Sequence, residues 1–443
     1  MKILATAYAC DPFHGSEEGV GWGWVNAIAR NHEVWVLTAG YRRRDLDAAI
    51  RREPEMRDRL HFVYVEEKPW HYRPTPAWIR VENSIVKPAM NWAYRSWLRG
   101  AFLLGAQLHR EIGFDLIHQV TYVGFRFPGY LWKLGVPFVW GPIGGLENTP
   151  WRLVPAMGVQ GAAYYAARNV VNSWHRRFLR APRKAFRRAS AVIAATSGIQ
   201  AEILRRYGVS SEVISEVSAP FEAATEFAIR APSEPLRIAW SGRHLPGKAL
   251  HLLLHTLHAM HEVIDWRLEI WGDGPCRSGW QKLASRLGID DRCTWRGEVP
   301  RDEVLSGLRR AHAFVITSLK DLTSTVIIEA LAQGVPVICP DHCGFSDVVS
   351  DECGIKLPIH SVDEFERRLA GAVADLASDE ERRQRLAAGA LSRARDYSPE
   401  AKAEAIERVY REALQHHDAR VNAGNVSRSD SARARTEAAV DPL

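Results

Sequence analysis

Residues 318–338 read SLKDLTSTVIIEALAQGVPVI, and the order of residue types in this stretch indicates an α/β fold. Two carboxylates lie eight residues apart, Asp321 in a short polar segment and Glu329 about one turn into a predicted helix. Residues 323–325 are Thr, Ser and Thr, which are favourable types at a helix N-cap. We expect the helix to end at Gly334 and the apolar residues after it to form a buried strand.

A helix start of this kind presents unpaired backbone N–H groups and a positive dipole end, which together suit a phosphate group. Carboxylates on either side of a phosphate cradle suit the hydroxyl groups that flank the phosphates of a sugar nucleotide. Acidic pairs at this spacing are common, so the spacing alone is weak evidence. The ordered series of loop, helix, glycine and apolar strand is more specific. The alternative is an ordinary capped helix with a surface carboxylate.

The stretch resembles the signature of the family 4 retaining glycosyltransferases, which have the GT-B fold. Their pattern is Glu, seven residues, Glu, and then Ala-Leu-Ala-x-Gly-x-Pro-Val-Ile. In this sequence Asp321 stands where the family has its first Glu. The resemblance implies two Rossmann-like, doubly wound domains that face a central cleft.

Length and composition are those of a globular protein of about two to three domains. The 443 residues are 46% hydrophobic and 25% charged, and no run approaches the roughly 18 apolar residues of a membrane span. The N-terminus is too short in its apolar part for a signal peptide and is typical of a first strand. Six scattered cysteines form no CxxC pair. We therefore expect a cytoplasmic protein with reduced thiols.

The net charge of +6 conceals an asymmetry between the two halves of the chain. Residues 1–220 carry 29 Lys and Arg against 18 Asp and Glu, whereas residues 221–443 carry 29 against 34. Two basic and aromatic stretches, 78–110 and 174–188, lie in the first half. They suit the inner face of an anionic membrane that holds a lipid-linked acceptor, or they form an ordinary solvated face. Nucleic-acid binding would also explain the charge, but no nucleic-acid module is recognisable, and we predict none.

Apolar strand candidates alternate with helical stretches along the chain, which favours parallel, doubly wound sheets. The strand candidates are 2–8, 33–37, 61–65, 116–119, 137–140 and 191–195, and then 237–241, 267–271, 293–296, 313–317 and 335–339. The predicted units are an acceptor-binding domain at 1–220, a linker at 221–235, a nucleotide-sugar domain at 236–398, a crossover helix at 399–415 and a disordered tail at 416–443.

The segment after the first strand of the second domain, SGRHLPGK at 241–248, resembles the family's Gly-Arg-x-x-x-x-Lys element. The resemblance implies that Arg243 and Lys248 grip the donor diphosphate, with Gly242 close to it. Point charges can replace a metal ion at a departing diphosphate. No cluster of His, Asp and Glu has metal-ligand spacing, so we predict no essential metal and no cofactor. A solvated turn is the alternative.

A glycine-rich loop at 11–23 joins the first strand to the next helix. The family usually has Gly-Gly at this place, and this chain has Gly15 and Ser16, for which we predict a donor contact. Glu17 would repel phosphate, which favours contact with the acceptor instead. A flexible surface loop without a ligand is the alternative.

His118 ends a buried strand where the family commonly places a histidine that faces the donor sugar. The resemblance implies a catalytic role, and a hydrogen-bonded structural histidine is the alternative. Glu147, in a glycine-bearing loop after another strand, is either an acceptor-site carboxylate or part of a plain loop.

The remaining donor-binding positions follow from the same resemblance. Glu329 is expected to hold the ribose hydroxyls and Asp321 the sugar hydroxyls. The other positions are Gly272 in a Gly-x-Gly-Pro turn, Glu298 and Val299 beside the base, and Ser324, Thr325 and Val326 at the helix start. The loop at 341–347 departs from the usual Gly-Gly-x-x-Glu.

The resemblance covers roughly residues 1–415 and is most specific between 237 and 350. It implies a retaining, metal-independent glycosyltransferase that takes a UDP- or GDP-linked sugar by front-face displacement. A lipid-linked or other glycan in bacterial exopolysaccharide or capsule assembly is the expected acceptor. Two alternatives stay open: a GT-B sugar-nucleotide epimerase, and a nucleotide-binding pseudo-transferase without turnover.

Overall fold

The computed structural model describes residues 1–13, 15–52, 56, 58–66, 87–219 and 223–437, with residues 87–91 and 424–437 described by their backbone alone. The predicted basic and aromatic stretch at 78–110 therefore begins outside the described residues. Part of the predicted linker also lies outside them. The last six residues of the predicted tail also lie outside them.

In the described part of the chain, the first domain is built on a parallel sheet of seven strands in the order β3-β2-β1-β4-β5-β6-β7. These are β1 (Lys2–Ala7), β2 (Glu33–Ala39), β3 (Leu60–Val65), β4 (Leu116–Thr121), β5 (Phe138–Ile143), β6 (Ala191–Ala194) and β7 (Glu212–Val213). The helices are Ser16–Ala29, Arg43–Arg52, Lys87–Ile112, Gly158–Phe178, Arg180–Arg188 and Ser197–Tyr207. Strands β4 and β5 are buried along their whole length. Strand β5 is a continuous apolar run, and the buried polar residues of β4, His118, Gln119 and Thr121, form side-chain hydrogen bonds.

The second domain has six parallel strands among the described residues, in the order β10-β9-β8-β11-β12-β13. They are β8 (Leu236–Ser241), β9 (Trp266–Trp271), β10 (Cys293–Gly297), β11 (Ala313–Val315), β12 (Val337–Pro340) and β13 (Gly354–Leu357). The helices are Leu250–Ala259, Arg277–Arg286, Arg301–Arg310, Thr325–Ala332, Phe345–Val348, Val362–Ser378 and Glu380–Arg395. This is the strand order of a Rossmann domain, so the predicted α/β fold with two such domains is confirmed.

The strand order reverses once in each sheet, between β1 and β4 in the first domain and between β8 and β11 in the second. In doubly wound sheets, ligands bind outside the carboxyl ends of the strands at such a reversal. The loops that leave β1, β8 and β11, taken together with the helices that follow them, carry most of the predicted site residues, and His118 lies within β4. The topology therefore selects the same loops as the sequence motifs.

The last helix, Pro399–Glu437, returns to the first domain and does not end where the sequence analysis predicted, at residue 415. His416 lies 3.2 Å from the carbonyl oxygen of Ser190, and Arg420 donates to the carbonyl oxygen of Ala189 at 2.8 Å. The start of the tail that was predicted to be disordered is therefore helical and contacts the first domain. The helix continues beyond residue 415 because it has no glycine before residue 424 and because its side chains contact the first domain.

The connection between the domains is held by a buried lysine, Lys402, near the start of this helix. Its ammonium donates to the three carbonyl oxygens of residues 215–217 and lies 4.8 Å from the ring centre of Trp24. The Glu216 carboxylate accepts from the backbone N–H and the hydroxyl of Thr323, at 2.9 and 2.8 Å. Burial raises the pKa of Glu216 and lowers that of Lys402. One cluster therefore joins both domains, the connecting residues 215–217 and the last helix.

Candidate active site

Lys248 and Asp321, two of the predicted catalytic residues, lie together in the structure. The loop after β8 ends in a short turn, Pro246–Lys248, and the ammonium of Lys248 forms an ion pair with the carboxylate of Asp321. The hydroxyl of Thr317 also donates to the carbonyl oxygen of Lys248 at 2.8 Å, which joins the loops after β8 and β11. Both side chains of the ion pair are about four-fifths buried, at 18% and 19% exposure. The pair is therefore partly shielded from solvent at the reversal of the second sheet.

Gly242 and Gly272 allow the loops after β8 and β9 to pack closely near this ion pair. Gly272 has φ +102°, and a Cβ atom there would collide with the carbonyl oxygen of Gly242. The two loops can pack only because glycine stands at 272. Arg243 follows on the same loop and is exposed at its rim.

Glu329 lies one turn into the Thr325–Ala332 helix and is buried, and its Oε1 accepts from Nε of Arg301 at 2.7 Å. The helix begins after Ser324, whose φ is +73°, and no side chain caps it. The expected cap by residues 323–325 is wrong because Thr323 turns back to Glu216. The first-turn N–H groups are consequently not occupied by a local side chain.

Three other predicted donor-binding residues lie just after β10 or in the helix that follows β11. Glu298 is exposed just after β10, Val299 beside it is half-buried, and Val326 is buried in the helix. The structure thus brings Lys248, Asp321 and the helix start together. The donor roles of all these residues stay predictions.

His118 is a correction to the sequence analysis. The side chain is fully buried, with Nδ1 2.7 Å from the hydroxyl of Tyr410 and Nε2 2.9 Å from the carbonyl oxygen of Gly141. Burial lowers its pKa to about 4, so the neutral ring donates from Nε2 and accepts at Nδ1. Since both nitrogens bind protein groups, the imidazole joins β4 to the last helix and does not face a ligand.

In the loop after β1, Glu17 is arranged differently from the prediction, and the donor contact of Gly15 and Ser16 stays a prediction. Gly15 and Ser16 are exposed at the start of the Ser16–Ala29 helix, and the space around Gly15 is open. Glu17, predicted to meet the acceptor, instead accepts from the backbone N–H of Val123 in the loop after β4. Burial raises the pKa of Glu17. This carboxylate therefore holds the loop after β4 in place rather than pointing into open space.

A pocket of about 260 Å³ opens between the two domains beside the Lys248–Asp321 pair. Glu147 lines it from the first domain, and Lys320 and Asp321 line it from the second. Burial raises the pKa of Glu147, and the nearby Lys320 opposes that shift. The predicted acceptor-site carboxylate and the predicted sugar-binding carboxylate thus share one cavity.

One wall of this pocket comes from the Gly158–Phe178 helix, which the motifs did not single out. Tyr164, Tyr165 and Arg168 of this helix line the cavity. The helix packs on the second domain, where a Cβ atom on Gly161 would lie 2.6 Å from Cβ of Pro246. This contact closes one side of the cleft. Lys320 is the missed residue that the sequence could have signalled, because it directly precedes Asp321.

A larger pocket, of about 500 Å³, lies at the interdomain connection and is lined by Ser215, Thr323 and Lys402 among others. Asp321 and Glu147 line the smaller pocket, whereas none of the predicted catalytic, donor or acceptor residues lines the larger one. Its walls are the cluster that joins the domains, so we assign the chemistry to the smaller pocket.

Two further observations concern metals and membranes. No group of three or more His, Cys, Asp or Glu side chains in the described ranges is arranged to hold a metal ion, and metal independence stays a prediction. Among the described helices, none combines the length and the apolar content that a bilayer span requires.

Comparison with known proteins shows relatives over both domains. The family model described as Glycosyltransferase Family 4 matches residues 25–218, and that described as Glycosyl transferases group 1 matches residues 222–393. A D-inositol 3-phosphate glycosyltransferase of Streptomyces bingchenggensis is 31% identical over 247 residues, 51% of this chain and 53% of the relative. The chain thus spans about half the length of the curated relatives it matches.

Solved structures share the fold across nearly the whole chain. The lipopolysaccharide outer core galactosyltransferase WaaB has a TM-score of 0.60 at 16% identity, covering 93% of this chain and 99% of WaaB. Anabaena HepE in complex with UDP has a TM-score of 0.56 at 16% identity, covering 92% of this chain and 99% of HepE. Both family models, read together with the two Rossmann-like domains, show that this chain belongs to the family 4 glycosyltransferases and has the GT-B fold.

Proposed function

We propose that the protein is a retaining glycosyltransferase that transfers a sugar from a UDP- or GDP-linked donor to a glycan acceptor without a metal ion. The observation that carries this proposal is the ion pair of Lys248 and Asp321 beside the uncapped start of the Thr325–Ala332 helix, on the wall of an interdomain pocket. The UDP complex of HepE and the transferase names of the relatives support it.

In the proposed reaction, Lys248 and Arg243 bind the diphosphate and stabilise the charge that develops as it leaves. A cation at about 4 Å supplies several kcal/mol at an intermediate dielectric constant, whereas a helix start supplies about 0.3–1 kcal/mol. The cations are therefore the larger contribution. Glu329, held by Arg301, would accept hydrogen bonds from the ribose hydroxyls.

Asp321 would orient the sugar, with its carboxylate released in part from Lys248 as the diphosphate binds that ammonium. The leaving diphosphate takes the proton of the acceptor hydroxyl on the face from which it departs, so the new bond keeps the configuration of the old one. The Gly158–Phe178 helix and Leu322, which packs on Gly144, exclude water from the pocket.

The test is incubation of the purified protein with labelled UDP- and GDP-sugars, a bacterial lipid extract and a chelator. We expect label to move to an extractable or glycan acceptor, and NMR of the product to show the anomeric configuration of the donor. Conversion of the donor without an acceptor would instead establish the epimerase alternative. Binding without turnover would establish the pseudo-transferase, and loss of transfer on chelation would contradict metal independence.

We also propose that the protein works as a peripheral protein on the cytoplasmic face of an anionic membrane. Val170, Val171, Trp174 and Phe178 are each about half exposed or more and share one face of the Gly158–Phe178 helix. Exposed arginines and a lysine follow in residues 177–188. Apolar side chains beside cations suit the headgroup region, and the same helix lines the pocket.

The double substitution Trp174→Ser and Phe178→Ser should lower binding to vesicles of phosphatidylcholine and phosphatidylglycerol by about tenfold or more. Each large apolar side chain kept out of water contributes about 1.5–3 kcal/mol when fully buried, and less in the interface. Co-sedimentation measures the bound fraction. Val263→Ser, which removes a more exposed apolar residue from the second domain, is the control. Equal binding of both variants and the wild type would contradict membrane contact through this face.

A further inference from the structure

Arg126 of the first domain carries a charge that is not neutralised by its hydrogen-bond partners. Its Nη2 donates to the amide oxygen of Asn172 at 2.6 Å, and its Nε donates to Nδ1 of His175 at 2.9 Å. An imidazole that accepts at Nδ1 is neutral, and burial together with Arg126 lowers the pKa of His175. Both partners are therefore uncharged. Burial, with repulsion from Arg168 and Arg176, lowers the pKa of Arg126 to about 10.

Arg168 lies close enough to repel Arg126 and lines the interdomain pocket. Its Nη1 is buried and has no hydrogen-bond partner in the part of the chain that the structure describes. A buried donor on a charged group is costly when it is unpaired. Nη1 of Arg126 lies 3.7 Å from the position of a Cβ atom on Gly145, and Gly145 lines the pocket, so this guanidinium lies beside the cavity.

Arg176 and Asp321, two other charged groups around this wall, have charged partners, whereas Oε2 of Glu147 is buried without a hydrogen-bond partner among the described residues. Arg176 donates to the carbonyl oxygen of Leu146 at 2.7 Å and pairs with Glu202 at 3.2 Å. Asp321 is paired with Lys248, and Glu147 lies in the field of Lys320. The uncompensated positive charge of the pocket is thus concentrated on Arg126 and Arg168.

We propose that Arg126 and Arg168 form a subsite for an anionic group, a phosphate or a carboxylate, carried by the acceptor. The inference rests on the proposed function, because that function assigns the donor diphosphate to Lys248 and Arg243 in the second domain. Arg168 lines the pocket from the first domain, and Arg126 of the same domain lies beside it. Guanidinium groups match the geometry of phosphate and carboxylate oxygens, and the open Nη1 of Arg168 would gain its missing acceptor.

The test uses inorganic phosphate as the probe and the full-length protein saturated with UDP, so that the diphosphate site is filled. We expect phosphate to bind in isothermal titration and Arg168→Gln to weaken that binding tenfold or more, with the affinity for UDP unchanged. Arg177→Gln, which removes an exposed arginine from the same helix, is the matched control and should bind phosphate as the wild type does. Thermal unfolding of each variant checks that it is folded.

Glycerol 3-phosphate and a short-chain phosphatidylglycerol distinguish a free phosphorylated acceptor from a lipid-linked one, with glycerol as the neutral comparison. Phosphate binding that UDP abolishes, or that Arg168→Gln leaves unchanged, would overturn the subsite. The proposed function fails separately if neither UDP nor GDP binds. In that case the titration without nucleotide still measures the effect of Arg168→Gln on phosphate binding.

Discussion

The Lys248→Ala variant is expected to lose about 10²-fold or more in kcat. Removing one preorganised group that stabilises developing charge has an effect of this size, and Lys248 is four-fifths buried beside Asp321, where solvent screens its charge incompletely. Initial rates at saturating donor measure the change. Donor KM should rise less than kcat falls, because the charge on the leaving diphosphate is greatest in the transition state.

Lys282→Ala is the matched control, since Lys282 is an exposed lysine of the same domain. It should leave kcat within about twofold of the wild-type value. The Asp321→Asn variant, alone and combined with Lys248→Ala, measures the coupling between the two groups. Near-normal turnover of Lys248→Ala with a folded protein would remove this lysine from the mechanism.

The second large effect is on stability. Lys402→Met should lower the free energy of unfolding by about 3–5 kcal/mol, which is the usual cost of breaking a buried charged cluster by removing one partner. The substitution leaves the carbonyl oxygens of Ser215 and Val217 without their Lys402 donor, whereas that of Glu216 still accepts from the indole N–H of Trp24. It also leaves the buried Glu216 carboxylate without its nearby cation. Denaturation with guanidinium chloride, followed by tryptophan fluorescence, measures the loss.

The double variant Lys402→Met, Glu216→Gln separates the charge from the packing. Removing both charges should recover part of the lost stability, because glutamine can still accept from Thr323 without carrying a buried charge. Lys282→Met serves as the surface control and should change stability by less than about 0.5 kcal/mol. A Lys402→Met variant as stable as the wild type would show that the ammonium does not hold the domains together.

The sequence was sufficient for the fold because its signals are local. Strand β8 is largely apolar, strand β9 alternates apolar and charged residues, and each is followed by a helix-forming stretch. This alternation of strands and helices specifies parallel sheets. The sequence analysis missed β7 and β13. The first has two exposed residues and the second has only four, so neither shows a pattern that distinguishes it from a loop.

The site could be predicted only in part, and the difference lies in how far away the partners are in sequence. Lys248 and Asp321 were predictable because each belongs to a motif at a strand end. The orientation of His118 depends on Tyr410, which is 292 residues further along the chain, and no local pattern reports that contact. Arg168 has no motif around it, and its importance appears only once the Gly158–Phe178 helix is seen against the pocket.

The return of the last helix to the first domain has a consequence for biosynthesis. During translation, β1 to β7 leave the ribosome long before the residues that cover His118 and bind the backbone of residues 215–217. Domains generally fold in the order of their synthesis. The core of the first domain nevertheless stays partly exposed until the last helix has been synthesised. Premature termination before Pro399 would release a chain whose two sheets are complete but whose first domain lacks its final layer.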